Sequence, residues 1–259
     1  MDLLRISLVQ FDIVWENPGA NRNKLDILLA PLKGTTDLIL LPETFVTGFT
    51  MKVNELAETM NSETVNWMKE QAIRTGAAIC GSLIIKEETC FYNRFLFVRP
   101  DGQVACYDKR HLFSIGEENK FFTAGGKRLV VEYLGWKIAL FVCYDLRFPV
   151  WCRSIADADL MLFVANWPEA RSIVWQTLTR ARAIENQLYV ACVNRTGVDG
   201  TGIAYSGESM LIDSRGAILC NMKNQSEGTE TTTLSLDELI NFRRKFPVIR
   251  DEDIFEISL

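Results

Sequence analysis

Histidine is almost missing from this chain: His111 is the only one in 259 residues. Within one subunit that excludes a site with two or three histidine ligands, and any Ser-His-Asp or Cys-His pair has to run through this ring. Cys-x-x-Cys pairs are also missing. The seven cysteines, at 80, 90, 106, 143, 152, 192 and 220, are odd in number and lie mostly inside apolar segments. Such a pattern points to a reducing, cytoplasmic setting rather than a disulfide framework. Apolar runs such as IALFV at 138–142 and LMLFVA at 160–165 fall far short of the roughly 18 residues of a membrane span. The opening MDLLRISLVQF lacks the basic and apolar regions of a signal peptide, so no membrane association is expected. A net charge of −5 with scattered basic residues gives no field for a polyphosphate, and no nucleic acid partner is expected. Phosphate loops are missing as well. GTGIAY at 200–205 has Tyr205 where a dinucleotide fingerprint needs glycine, and AGGKR at 124–128 lacks the earlier glycine and the final Ser/Thr of a P-loop.

What is present is ordinary globular composition. A chain this long buries roughly 70–75% of its unfolded surface and needs no disulfide or metal staple. We read it as one domain over 1–259, with a tail of mixed charge from about 246 that packs on the body or on another subunit. Apolar or alternating runs predict strands at 4–10, 37–41, 77–85, 91–98, 129–132, 137–143, 160–165, 188–193 and 208–213. Helical spacing appears at 20–33, 62–75, 148–156, 171–186 and 235–245. This interleaving predicts an α/β fold. In the clearest helix, 171–187, Val174, Leu178, Ala181 and Ile184 form one stripe, with Arg180, Arg182 and Glu185 outside it. The stretch Gly197 to Gly207 holds four glycines and reads as a long loop.

Three of the apolar runs end in chemistry-bearing residues. DLILLPE stays apolar until Pro42 and Glu43, GWKIALFVCYDLR until Cys143, and LMLFVANWP until Asn166. In open α/β sheets the ligand crevice lies beyond the carboxyl ends of the strands, so these side chains are candidates for one cleft. Cys143 precedes a polar turn leading into the predicted helix 148–156, and sulfur at a helix N-terminus favours thiolate. The competing reading is an inert core cysteine. A nucleophilic cysteine with a free pKa of about 8.5 needs activation. With histidine scarce, a carboxylate base and a cationic neighbour are the alternatives. Glu43 supplies the first, unless it only favours the start of the following segment. Lys109, in YDKRHLF at 107–113, is a candidate for the second, unless it is a solvated surface lysine. Spacing alone does not bring Lys109 to Cys143.

At these residues the sequence resembles the nitrilase superfamily, carbon–nitrogen hydrolases with a Glu-Lys-Cys triad. LPE at 41–43, DKRHLF at 108–113 and CYDLRFP at 143–149 stand in family order, and ISLVQFD, ANWP at 165–168 and ARAIENQ at 181–187 match too. Within the superfamily it resembles the short bacterial omega-amidases above all. The resemblance implies a four-layer α-β-β-α sandwich, usually a homodimer or higher homo-oligomer, with helix 171–187 as an interface element and no cofactor or metal. It makes Cys143 the nucleophile, Glu43 the general base and Lys109 the transition-state cation, with the backbone N–H of Tyr144 as a second oxyanion donor. Glu118 aligns with the second glutamate seen near the triad, and the adjacent Glu117 competes for that place.

The implied reaction is hydrolysis of a small non-peptide amide through a Cys thioester. Omega-amidases act on short dicarboxylic monoamides such as 2-oxoglutaramate and 2-oxosuccinamate. The distal carboxylate asks for a cation, and Arg147 is the candidate because guanidinium grips carboxylate bidentately. Its alternative is a structural ion pair with Asp145 or a neighbouring acid. Trp167 is a candidate apolar wall, or else a core residue. His111 lies two residues after Lys109, on the same face if both sit in a strand. Another branch of the superfamily, acting as a nitrilase, carbamoylase or other amidase, is the rival reading.

Overall fold

The structure, a computed structural model, describes residues 2–153, 158–222 and 224–257. In the first half, β1 (Leu3–Gln10), β2 (Leu38–Leu40) and β3 (Ala78–Glu87) lie parallel, and β4 (Cys90–Val98) and β5 (Val104–Asp108) follow antiparallel. Parallel neighbours need crossovers. These carry α1 (Pro18–Leu29), the single turn α2 (Val53–Leu56) and α3 (Glu63–Thr75). Asn17 caps α1 by accepting from the Ala20 N–H at 3.0 Å, one residue before Pro18. The expected helix to 33 gives way to a 3-10 turn at Ala30–Leu32, since Pro31 has no N–H to extend α1.

After α4 (Glu118–Phe121), the second half repeats the pattern. β6 (Val130–Tyr133) pairs antiparallel with β7 (Trp136–Val142), and β7, β8 (Leu160–Ala165) and β9 (Tyr189–Asn194) run parallel. α5 (Ser172–Asn186) crosses from β8 to β9. A two-stranded ribbon, β10 (Thr196–Val198) and β11 (Ala204–Ser206), then leads to β12 (Met210–Ile212) and β13 (Ile218–Asn221). Finally β14 (Gly228–Ser235) returns to pair antiparallel with β1, and α6 (Leu236–Lys245) follows. The sheet orders β14-β1-β2-β3-β4-β5 and β6-β7-β8-β9-β12-β13 are the same design twice: three parallel strands, one antiparallel neighbour on one side and two on the other.

Strand alternation decides the layers. Leu4, Ile6 and Leu8 of β1 point into a central core shared with Phe95, Phe97, Phe141 and Phe163, while Val9, Ile39 and Ile79 face Leu25 and Leu29 of α1 and Met68 and Ala72 of α3. On the far side Trp175 and Ala183 of α5 cover the second sheet. The result is an α/β sandwich with the expected α-β-β-α layers.

Several expectations need correction. The buried face of α5 is Trp175, Thr179, Arg182, Ala183 and Asn186; Val174 and Leu178 are only partly buried and Ile184 is exposed. Arg182, expected outside the stripe, is buried because its guanidinium donates to the Leu146 carbonyl at 2.7 Å and pairs with Glu185. The predicted loop Gly197–Gly207 is largely the β10–β11 ribbon, whose strands are too short and glycine-rich to register as alternation. The helix expected at 148–156 is a succession of turns up to Arg153, and the remainder falls on 154–157, outside the described residues. The tail packs on the body: Ile257 touches the central core and Glu252 pairs with Arg153 at 3.5 Å.

Candidate active site

Glu43 follows β2, Cys143 follows β7 and Asn166 follows β8, so the strand ends of both sheets meet at one place. β2 and β8 are the middle parallel strands of the two sheets, and the residues beyond them clasp each other. The Asn166 backbone N–H donates to Glu43 Oε2 at 2.8 Å, and its Nδ2 donates to the Glu43 carbonyl at 2.7 Å and to Thr44 Oγ1 at 3.1 Å. Lys109 comes directly after β5. Its N–H donates to the Asn93 carbonyl at 3.0 Å, and its own carbonyl accepts from Gly125 at 2.9 Å. Gly125 has to be glycine, since a Cβ there would lie 2.1 Å from the Asp108 carbonyl oxygen. The AGG segment is thus a close backbone approach that fixes Lys109.

Lys109 Nζ, buried with 1% side-chain exposure, donates to Glu43 Oε1 at 2.9 Å and to Glu118 Oε1 and Oε2 at 3.0 and 2.9 Å. Glu118 opens α4, fully buried, and its Oε2 also accepts the Phe113 N–H at 2.6 Å. Glu117 points out to pair with exposed Lys120, so Glu118 is the acid the structure brings to the cluster. Buried Asn93 of β4 donates through Nδ2 to Glu43 Oε1 at 2.8 Å and to Glu118 Oε1 at 3.3 Å. Two carboxylates thus converge on one ammonium and one amide.

Electrostatics follow from burial and these partners. Desolvation alone would lower the Lys109 pKa, but the charges of Glu118 and Glu43 outweigh it and hold the ammonium above its ordinary value. Burial raises Glu118, with Glu43 adding to the rise and Lys109 opposing it. Cys143, whose Sγ donates to the Asn166 carbonyl at 3.9 Å, is pushed well up, by burial first and then by the Glu43 charge, against the pull of Lys109. The expected thiolate at a helix N-terminus is therefore corrected. Cys143 begins a 3-10 turn of only five residues, Cys143–Arg147, and the resting group is a thiol facing a carboxylate. Its φ of +45° is left-handed, a conformation costing about 1–3 kcal/mol that the sharp strand-to-turn elbow imposes. The elbow aims Sγ into the cleft while the strand before it stays buried.

The loop carrying Lys109 is tied to this elbow by Asp145. Its buried carboxylate accepts from Tyr107 Oη at 2.8 Å, the His111 N–H at 2.9 Å and the Val142 N–H at 3.1 Å, with His111 Nδ1 at 2.8 Å. Lys109 and His111 lie beyond β5, not in a strand, and part ways: His111 stacks on Phe148 with ring centroids 3.7 Å apart. Asp145 is occupied by these four donors and makes no ion pair with Arg147. Arg147 lies over the Trp167 ring at 5.1 Å, and Trp167 is nearly buried while still lining the cleft.

The cleft measures about 220 Å³. That is below the roughly 300–1,000 Å³ of pockets for drug-sized ligands, so it suits a molecule of few atoms. Phe49, Phe113, Tyr144 and Trp167 supply its apolar walls. No cluster of three or more His, Cys, Asp or Glu among the described residues has the arrangement to hold a metal. Asn93 and Arg171 escaped the sequence reading, as did the tie from Asp145 to the Lys109 loop. Asn93 had a visible signal, an amide inside the apolar strand CFYNRFLFV. Asp145 and Arg171 had none: the Asp145 partners that tie the two loops together are 34–38 residues away, and the Arg171 guanidinium has no hydrogen-bond partner among the described residues.

Similarity to known proteins runs through nearly the whole chain. The carbon-nitrogen hydrolase profile matches residues 5–244. An omega-amidase of Yersinia enterocolitica is 45% identical over 257 residues, spanning 98% of this chain and 99% of that one. The 2-oxoglutaramate amidase of Bacillus subtilis (strain 168) is 32% identical over 251 residues, 95% of this chain and 96% of the relative. Among solved structures, a CN-hydrolase superfamily protein from Xanthomonas campestris, with an arsenic adduct in its active site, superimposes with a TM-score of 0.97 at 47% identity, covering 100% of both chains.

Proposed function

The chain belongs to the carbon–nitrogen hydrolase family, and from that premise we propose that it is an omega-amidase acting through Cys143, Glu43 and Lys109. It hydrolyses the terminal amide of short dicarboxylic monoamides such as 2-oxoglutaramate or 2-oxosuccinamate to the acid and ammonia. The observation that carries this reading is the Cys143 thiol, donating to the Asn166 carbonyl at 3.9 Å, in one cleft with Glu43, which accepts from Lys109 at 2.9 Å, Asn93 at 2.8 Å and the Asn166 N–H at 2.8 Å; the cleft is sized for a few atoms.

The resting thiol is protonated, so attack and proton transfer are coupled. Glu43 takes the Sγ proton as sulfur bonds to the amide carbon, and the carbonyl electron pair moves onto oxygen. Lys109 and the Tyr144 peptide N–H stabilise that oxyanion. Lysine suits the role because its charge is present before the reaction begins. Glu43 then passes the proton to nitrogen, the C–N bond breaks and ammonia leaves a thioester on Cys143. Water, deprotonated by Glu43, adds to the thioester; collapse returns the proton to sulfur and frees the carboxylic acid. Glu118 shares Lys109 with Glu43 and keeps the ammonium fixed between them, and the cluster titrates as a unit. Arg147 binds the distal carboxylate, with Trp167 as the wall beneath it.

All seven cysteines are unpaired, which suits the reducing cytoplasm we assign, and no helix among the described residues is long and apolar enough to cross a membrane. We place a homodimer contact on the outer face of α5, where Ile173 and Ile184 stand 72% and 49% exposed. The test of function is ammonia release from 2-oxoglutaramate, 2-oxosuccinamate, glutamine, a carbamoyl amino acid and a simple nitrile, with Cys143→Ala as control. Turnover highest on an oxo-monoamide supports the proposal; preference for the nitrile or carbamoyl compound overturns it.

A further inference from the structure

Charge pairing in this protein is thorough. Every other buried or half-buried arginine among the described residues has a hydrogen bond or an ion pair: Arg94 holds Asp108, Arg195 holds Asp12, and Arg110 donates to the Gly125 carbonyl. Two break the pattern, and both line the active-site cleft. Neither the Arg147 nor the Arg171 guanidinium makes a hydrogen bond or ion pair with any described residue. A guanidinium carries five donors, and two forks unpaired with protein groups in one small cleft of a chain with net charge −5 suit an anion.

Both forks are pre-positioned. Arg147 lies on the Trp167 ring at 5.1 Å and Arg171 on the Phe113 ring at 5.5 Å. The Trp167 indole N–H donates to the Arg171 carbonyl at 2.9 Å, so the ring that carries one guanidinium anchors the backbone of the other. Phe113 in turn is fixed through its N–H to Glu118, the acid bound to Lys109. Stacking holds a planar guanidinium in place without consuming its in-plane donors.

We propose that Arg171 is a specificity-determining residue that forms, with Arg147, a two-arginine subsite for the carboxylate and adjacent oxo group of a 2-oxo acid. This deepens, and rests on, the omega-amidase reading. One bidentate fork fills about two of the four acceptor sites of a carboxylate; a second guanidinium has five N–H of its own, enough to reach the remaining sites and an oxygen on the neighbouring carbon. The same pair repels the α-ammonium of an amino acid amide such as glutamine.

The test compares wild type with Arg171→Met and Arg171→Lys. The ratio of kcat/KM on 2-oxoglutaramate to kcat/KM on butyramide, which has no anion, is expected to fall about 10- to 100-fold in Arg171→Met, the range of one or two charge-assisted hydrogen bonds. It should recover in part with lysine. An unchanged ratio, or equal loss on both amides, overturns the proposal. In parallel, calorimetry measures binding of 2-oxoglutarate to Cys143→Ala and to Cys143→Ala/Arg171→Met. Binding that weakens at least tenfold in the double variant supports the subsite even if wild type proves inactive on 2-oxoglutaramate, in which case only the omega-amidase reading fails. Binding that is equal in the two variants, or absent from both, overturns the subsite.

Discussion

Replacing Lys109 by methionine removes the buried ammonium while keeping most of the side-chain volume. Three contacts of 2.9–3.0 Å disappear, and Glu43 and Glu118 are left sharing only the Asn93 amide as a side-chain donor common to both. Breaking one partner out of a buried ionic cluster costs about 3–5 kcal/mol. The protein reduces that cost by keeping a proton on one of the two acids. The native state then holds a proton that the unfolded chain releases above its usual glutamate pKa of about 4.3, so native stability falls as pH rises. The slope approaches about 1.4 kcal/mol per pH unit while the proton is retained, so the deficit against wild type grows by up to about 4 kcal/mol between pH 5 and pH 8. Urea midpoints of wild type and Lys109→Met at the two pH values measure it. Turnover should also drop at least ~10²-fold, the usual loss for an oxyanion donor. A Lys109→Met protein as stable as wild type at pH 8, or one whose deficit is the same at both pH values, would refute the charge arrangement.

Glu118→Gln should lower turnover and stability by leaving Lys109 with one carboxylate, whereas Glu117→Gln, on an exposed pair, should change stability by less than about 0.5 kcal/mol in thermal melts. His111→Phe keeps the stack on Phe148 and leaves Asp145 its Tyr107, Val142 and backbone His111 donors. We expect a loss of about 0.5–1.5 kcal/mol and a kcat pH profile of unchanged shape, since the proposed mechanism passes no proton through His111; a missing limb in that profile would implicate the ring in catalysis. Because burial and Glu43 raise the Cys143 pKa, its alkylation by iodoacetamide should be slow at pH 7 and still climbing at pH 9, and a plateau below pH 7 would contradict a resting thiol.

Much of this molecule was legible in the sequence where burial is two-sided. β7, β8 and β9 are continuous apolar runs because both their faces are covered, and their ends pointed to Cys143 and Asn166. The edge strand β14 was invisible for the opposite reason. In β14, GTETTTLS, Leu234 is the one residue buried outright, so the strand shows threonine rather than a hydrophobic pattern and owes its place to pairing along the whole of β1. Helix α5 misled by one position: its polar Thr179 and Arg182 face inward because each finds a carbonyl, at 2.7 Å in both cases, which a hydrophobicity stripe does not register. For the site, spacing named Glu43 and Cys143, while the placement of Lys109 came only from resemblance. The reason is physical: the lysine is brought in by β5 and by the Gly125 approach, long-range pairings that leave no local period. The thiolate expectation failed because the turn after Cys143 is too short to supply a helix field, and the carboxylate beside it dominates.

The most direct measurement is a rapid-quench experiment with 2-oxoglutaramate, following ammonia and the acylated peptide in the same samples. One equivalent of ammonia per active site should appear in a burst together with acyl label on Cys143, and Cys143→Ala should give neither. Ammonia release by Cys143→Ala at the wild-type rate, or label on any other residue, would contradict a Glu43–Lys109–Cys143 amidase.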